Sequence, residues 1–546
     1  MKDIDNINES KRLKINQFSR IFDIVTPSFC FDDCVATYAL SIAQDYEKMY
    51  LSSLQDGFFW DDSMEDSIGN HYKSETRMKE NLKKYVGIQI KEYNFKFHEA
   101  YPIIYNRLLK GAIVCVEMLG YWCPWDWRYK VEKKGSHAFF LSEYDEEKKE
   151  FVCVDPYYNK ENIRISVEHI EKGFVSFSVY SYSPVESNKN NIELLKDSLS
   201  TIMTGGWNQS ICELEGIIRK NFDLHKEVID YENLEQYSME EIQSNTKLND
   251  VLMDISHNRV RFAALLRKLA EQEKEYKEVL LLYANELIDI AEKWEMSRML
   301  LMKKIYLKKQ QGISDFFADK IKDVATSEKI LLESICHSLK QEKMQVIENE
   351  KNIMIQENGE LFYIDLLPYC NNVGIGSKKK DFEADLNGLK EYFIAEYFPS
   401  GIVCVEDTMS FHIPKKDNGI CDNISCRSQK IDIKTDYYNH MYILGCSEWG
   451  TYSDTIMLLY EDDSIAKFKI VMADWLPNYL EKENSSVAYQ SKKIIRNLDN
   501  FGENEEECYI YAKKISMPIR KPIKAIILPE CATIHIFAIS MRKASK

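Results

Sequence analysis

Between about residue 190 and residue 345 the chain has no proline and only four of its 20 glycines. So long a stretch with no proline and so few glycines has few options besides helix. Apolar residues recur there at three- and four-residue spacing, as in Phe262, Leu265, Leu266 and Leu269, and again in Leu280, Tyr283, Leu287, Ile290 and Trp294. Arg267, Lys268, Glu271, Glu273 and Lys274 charge the other faces. The spacing is nearer 3.6 than a strict heptad, so it predicts amphipathic helices in a bundle rather than a coiled coil. This block divides the 546 residues into a polar segment over 1–20, a mixed region over 21–185, a helical domain over 186–345 and a strand-rich domain over 346–546. In the last, Met344–Ile355 and Leu361–Leu367 are rich in β-type residues. Met441–Leu444, Ile456–Tyr460 and Ile534–Ile539 read as short strands between turn signals such as Lys416–Gly419 and Glu461–Ser464. That pattern predicts an antiparallel β-sandwich, and the fold class is multidomain α+β.

The mixed region carries the chemistry. In Ser28–Leu40, Asp32 and Asp33 are N-cap candidates, and Val35, Tyr38, Ala39 and Ile42 follow at helical spacing. With Asp33 as cap, Cys34 takes the first helical position, where the helix dipole and free N–H groups favour a thiolate. Cys30, one turn earlier, is the alternative nucleophile; it lacks an acidic cap before it, and Cys34 is preferred. The ordinary reading of Cys34 is a small buried apolar residue. A thiolate needs a base, and the base an orienting partner. Of His71, His98, His137 and His169, His137 is best placed: it follows Gly135-Ser136 and opens the apolar run Ala138–Leu141. Asp155 ends the next run, Phe151–Val154, and the acidic stretch Asp145–Glu150 between them reads as a hairpin loop. Two antiparallel strands then bring His137 and Asp155 side by side, and the carboxylate fixes the imidazole tautomer. Ile113–Met118 reads as a buried strand, and Ile170–Tyr182 supplies another.

Asp33-Cys34, His137-Ala138-Phe139 and Asp155-Pro156 resemble, in part, a motif of the leader-removing cysteine peptidases of bacteriocin exporters, a branch of the papain-like fold. That motif runs Asp-Cys-Gly-x-Ala, then His-Phe/Tyr, then Asp-Pro; here Val35 replaces the Gly, Thr37 the Ala, and Ala138 separates the His from its aromatic. Leu119–Trp127, Tyr129 and Gly57–Trp60 are more similar to the N-terminal domain of the butirosin-biosynthesis acyltransferase family. The resemblance spans about residues 20–185. It implies a papain-like cysteine-enzyme domain with Cys34 as nucleophile, His137 as base and Asp155 as its partner. The peptidases place a Gln several residues before the Cys as an oxyanion donor; Pro27-Ser28-Phe29 stands in that region, so Ser28 or a backbone N–H takes the part. Asp33, Trp125 and Trp127 line the site.

Net charge is −16, which argues against nucleic acid or an anionic membrane as main partner. The 14 cysteines form no CxxC pair, so neither a metal site nor a disulfide framework is expected. The N-terminus is polar with no apolar core after it, and no run reaches membrane-span length; the expectation is no membrane insertion and a cytoplasmic address. Cys421–Gln429, Tyr442–Cys446, Tyr460–Ser464 and Ala473–Trp475 resemble jelly-roll modules attached to bacterial glycoside hydrolases. Trp449 and Trp475 are the candidate sugar platforms there, with a packing or assembly module as the plainer reading. His535 reads as a core or rim histidine. The expected function is acyl transfer in natural-product biosynthesis, of peptide or aminoglycoside antibiotic type. The thiolate would open a thioester on an acyl or peptidyl carrier protein, with a small amine or peptide as acceptor. Phosphopantetheine enters only as the carrier's arm, and no bound cofactor is expected. The alternatives are a cysteine peptidase or amidase on a small peptide, and a catalytically inactive papain-fold scaffold or binding protein.

Overall fold

The computed structural model describes residues 13–18, 30–340 and 360–544, except 60–65, 75–76, 131–134, 186–189, 205–206, 229, 238, 308–312, 378–382, 406–408, 414–419, 477–486, 497–500 and 518–520. The chain divides into two compact units, Met1–Met344 and Gln345–Lys546.

The first unit opens with helix α1 (Cys30–Ser41), the strand pair β1 (Asp56–Phe58) and β2 (Tyr72–Ser74), and the short helix α2 (Met78–Asn81). A six-stranded antiparallel sheet follows. Its strands are β3 (Ile88–Tyr93), β4 (Val114–Leu119), β5 (Ser136–Asp145), β6 (Glu150–Asp155), β7 (Lys160–Ser166) and β8 (Phe174–Tyr182), in the order β3-β8-β4-β5-β6-β7. Helices α3 (Phe97–Leu108) and α4 (Val167–Gly173) are inserted between strands. Ile170 thus belongs to a helix, not to a strand running to Tyr182. The local cause is Ser166, whose hydroxyl accepts from the amide of His169 (3.3 Å) and caps α4.

Side-chain alternation gives the sheet two working faces. Phe139 and Leu141 of β5 join Val114, Val116 and Phe177 in a core shared with Ala100, Ile104 and Leu108 of α3. Phe140 faces the other way, with Cys115, Val154 and Tyr180. That second core is continuous with α1 and with the helices that follow: α5 (Asn191–Thr204), α6 (Trp207–Asn221), α7 (Leu224–Glu227), α8 (Met239–Ser244), α9 (Lys247–Gln272), α10 (Lys277–Tyr306) and α11 (Ile313–Lys340). The periodic residues Phe262, Leu265, Leu266 and Leu269 are buried on α9, and Leu280, Tyr283, Leu287, Ile290 and Trp294 on α10.

One fully buried cation ties these helices to β1. The guanidinium of Arg259 on α9 donates to Asp56 (3.0 Å) and to Glu328 of α11 (2.8 Å). Tyr72 (2.9 Å) and Asn258 (3.1 Å) complete Asp56, and the indole of Trp294 (2.7 Å) completes Glu328.

In the second unit a β-sandwich forms from an eight-stranded and a four-stranded sheet, with a separate hairpin of Gly401–Val405 and Met409–Ile413. The larger sheet is centred on Tyr438–Ser447, buried along its whole length between Phe501–Ser516 and Ile534–Lys543. The smaller orders Lys430–Asp436, Ile523–Ile527, Tyr452–Tyr460 and Ile465–Met472. Met441–Leu444, Ile456–Tyr460 and Ile534–Ile539 all lie in strands, and Leu361–Tyr363 forms a strand against Met541. The run Met344–Ile355 lies outside the described residues. Trp475 is only 1% exposed and packs edge-on to Phe393 (5.2 Å), which removes it as a stacking platform. The indole of Trp449 donates to the carbonyl of Asn387 (2.9 Å). His535 is buried, with Nδ1 against the side chain of Asn423 (2.8 Å).

Replacing Arg259 by Met leaves two buried carboxylates without their cation. The expected cost is about 3–5 kcal/mol, read as a lower denaturation midpoint for the Arg259→Met variant in a urea titration.

Candidate active site

The site starts from strand register. Phe140 of β5 pairs with Val154 of β6, so Phe139 lies opposite Asp155, and His137 sits diagonally from Asp155 on the same face. The contact is made: Nε2 of His137 lies 2.6 Å from Oδ2 of Asp155, and both side chains are buried. The indole N–H of Trp125 donates to the same oxygen (2.6 Å), and the amide of Tyr158 donates to Oδ1 (3.1 Å). Asp155 therefore has donors at both oxygens, as a buried carboxylate requires. Aromatic rings enclose the imidazole, with Phe139, Tyr157 and Tyr158 at centroid distances of 5.9, 5.7 and 5.3 Å. Trp125 packs edge-on to Phe139 (5.2 Å). Burial pushes the His137 pKa down, but the charge and hydrogen bond of Asp155, reinforced by Cys30, outweigh it and hold the ring protonated to about 10.

Cys30 is the cysteine whose interaction, after that of Asp155, raises the His137 pKa, and it is partly exposed. Because Asp155 occupies Nε2, Nδ1 is the ring nitrogen left for sulfur. Cys34 lies elsewhere. It is fully buried, its Sγ points to the carbonyl of Ala138 (3.7 Å) and it neighbours Cys115; burial, with Cys115 second, pushes its thiol well up. Cys34, the expected nucleophile, thus directs its sulfur to Ala138, and Cys30 is the cysteine that acts on the charge of His137. Helix α1 already includes Cys30, so Asp32 and Asp33 lie within it instead of capping a helix that starts at Cys34. The carboxylate of Asp32 is taken by tertiary donors, the hydroxyl of Tyr50 (2.7 Å) and the guanidinium of Arg261 (2.7 Å). Residues i and i+4 share a helix face one turn apart, so Cys34 is carried one turn deeper into the core.

Of the other expected residues, Trp125 holds Asp155 and Asp33 is buried in the first turn of α1. Trp127 is exposed, with its amide donating to the hydroxyl of Tyr158 (3.3 Å) and Arg128 over its ring (5.6 Å). Ser28 lies outside the described residues. His169 is held by Ser166 (2.8 Å), and His71 contacts Asp66. Gly135, just before β5, has φ +87, and a Cβ there would meet Nη1 of Arg128 at 2.4 Å. That guanidinium is fixed on Asp126 by bonds of 2.8 and 2.7 Å. The sequence reading passed over Gln17. Its amide donates to the carbonyl of Tyr157 (2.9 Å), beside the aromatic wall of His137. No fixed spacing to the cysteine marks it, and only the fold brings it there.

Among the described residues no cluster of three His, Cys, Asp or Glu side chains is arranged to hold a metal ion, and no helix is long and apolar enough to cross a membrane. Residues 360–545 match the family model of the AziU2-like beta-sandwich domain, which lies wholly within the second unit. No curated protein matches the chain.

Asp155→Asn removes the charge that opposes burial, so His137 should then titrate near or below the ordinary 6.5 instead of about 10. A raised histidine pKa stabilises the fold below the unfolded value, and that contribution is lost as pH rises through the folded one. Wild type should therefore lose stability between about pH 6.5 and 10, and Asp155→Asn should lose less over that window. NMR titration of the His137 ring protons and melts across the same pH range check both.

Proposed function

We propose that the first unit is a cysteine acyl-transfer enzyme of specialised metabolism, with Cys30 as nucleophile, His137 as general base and acid, and Asp155 as the group that orients His137. The observation that carries this reading is the buried pair of His137 and Asp155, with the partly exposed Cys30 near enough to raise the pKa of the imidazole. A carboxylate on Nε2 fixes the ring so that Nδ1 handles the proton, and the imidazolium stabilises the thiolate.

The substrate is a thioester on the phosphopantetheine arm of an acyl or peptidyl carrier protein. The sulfur of Cys30 attacks the carbonyl carbon, and the tetrahedral intermediate collapses with cleavage of the carbon–sulfur bond to the arm. The pantetheine thiol leaves with the proton from His137, and the acyl group stays on Cys30. An incoming amine then attacks the acyl-enzyme and gives its proton to His137. Collapse releases the amide and returns the Cys30 thiolate beside the imidazolium. Backbone N–H groups beside Cys30 are the donors assigned to the oxyanion. Gln17, with a second amide hydrogen beyond the one given to Tyr157, is the side-chain donor assigned to the same task.

The test is intact-protein mass spectrometry after incubation with an acyl-pantetheine thioester. Wild type and Cys34→Ala should gain the acyl mass, and Cys30→Ala should not. An adduct lost only in Cys34→Ala would move the nucleophile to Cys34. No adduct on any folded variant overturns the acyl-transfer reading, and cleavage of free peptide without a carrier would make the enzyme a hydrolase.

A further inference from the structure

Asp32 is the third residue of α1, two positions after Cys30, and its carboxylate has no exposure. Arg261 of α9 grips it as a fork, Nε to Oδ1 at 3.0 Å and Nη2 to Oδ2 at 2.7 Å, and the hydroxyl of Tyr50 adds a third bond at 2.7 Å. The third donor group of the same guanidinium bonds Asn258 (3.1 Å). Asn258 in turn bonds Asp56 (3.1 Å), which Arg259 holds together with Glu328. A continuous set of buried hydrogen bonds therefore runs from the first turn of α1 to the centre of the helical bundle.

We propose that Arg261 is a positioning residue of the thiol site: through Asp32 it holds the first turn of α1, and with it Cys30, against His137. The inference rests on Cys30 being the nucleophile. Two features make the role one of charge as well as geometry. Asp32 and Asp33 place two acids in the turn that carries the thiol. An uncompensated carboxylate there opposes a second negative charge on sulfur, and Arg261 neutralises Asp32 without touching Cys30. A guanidinium also fixes a carboxylate in one orientation, which a lysine ammonium does not. The other ionisable groups whose charge reaches Cys30 are His137 of β5, Arg128 of the loop before β5, Cys34 of α1 and Tyr180 of β8. Tyr46 faces Asp32 and Asp33.

The experiment measures iodoacetamide labelling of Cys30 in the full chain by peptide mass spectrometry, across acid to alkaline pH. Circular dichroism confirms the fold of each variant. In Arg261→Gln the rate at neutral pH should fall about tenfold. The double variant Asp32→Asn with Arg261→Gln, which removes the Asp32 carboxylate together with its cation, should return the rate toward wild type. Arg261→Lys keeps the charge but loses the fork and should be slowed by about threefold; it carries the test if Arg261→Gln does not fold. A wild-type rate and profile in folded Arg261→Gln, or in Arg261→Lys where the Gln variant is unfolded, overturns the inference while leaving the Cys30 assignment intact. If wild-type Cys30 labels no faster than the buried thiols, the acyl-transfer reading fails and this inference falls with it.

Discussion

A buried carboxylate loses its hydration and persists in a fold only with a full set of donors or a cation. The first unit is organised around four of them. Asp32, Asp56, Asp155 and Glu328 are all fully buried, and each is met by a base: Arg261, Arg259, His137 and again Arg259. Asp32 and Arg261 are 229 residues apart in sequence, Asp56 and Arg259 are 203 apart, and Arg259 and Glu328 are 69 apart. Asp32, Asp56 and Glu328 are satisfied only once α1, β1, α9 and α11 come together. The helical bundle is in this sense part of the structure that holds the thiol, and its core runs without a break into that of α1 and the sheet.

The short-range pair, His137 with Asp155, follows a different logic. It needs only a hairpin of fixed register, 18 residues from end to end. Around it the chain adds rings rather than charges: Phe139, Tyr157, Tyr158 and Trp125 leave the imidazole little water and give the carboxylate an indole donor. A dry pair of this kind is strongly coupled, which is why the ring stays protonated far above its ordinary range. The partly exposed Cys30 is where this buried pair meets solvent.

The second unit solves a plainer problem. Its long central strand is buried on both faces, Trp475 and His535 are packed inside, and the half-buried Trp449 is tied by its indole to Asn387. The AziU2-like beta-sandwich match covers this unit alone, so the chemistry of the first unit rests on its own geometry.

Periodicity and turn chemistry made much of this visible in advance. The helices α9 and α10, the strands β4, β5 and β6, and the sandwich strands that hold Met441–Leu444, Ile456–Tyr460 and Ile534–Ile539 sit where apolar spacing and turn residues place them. The contact between His137 and Asp155 was also readable, because a hairpin of known length sets it locally. What the sequence could not decide was which cysteine faces that imidazole. Cap rules favour Asp33 as the start of a helix, and those rules describe a short polar side chain bonding the backbone next to it. Here Asp32 bonds Arg261 and Tyr50 instead, and the helix already includes Cys30 and both acids. Local rules carry no information about an arginine 229 residues away, and the four-residue difference between Cys34 and Cys30 is one helical turn, enough to move a thiol from the core to the site.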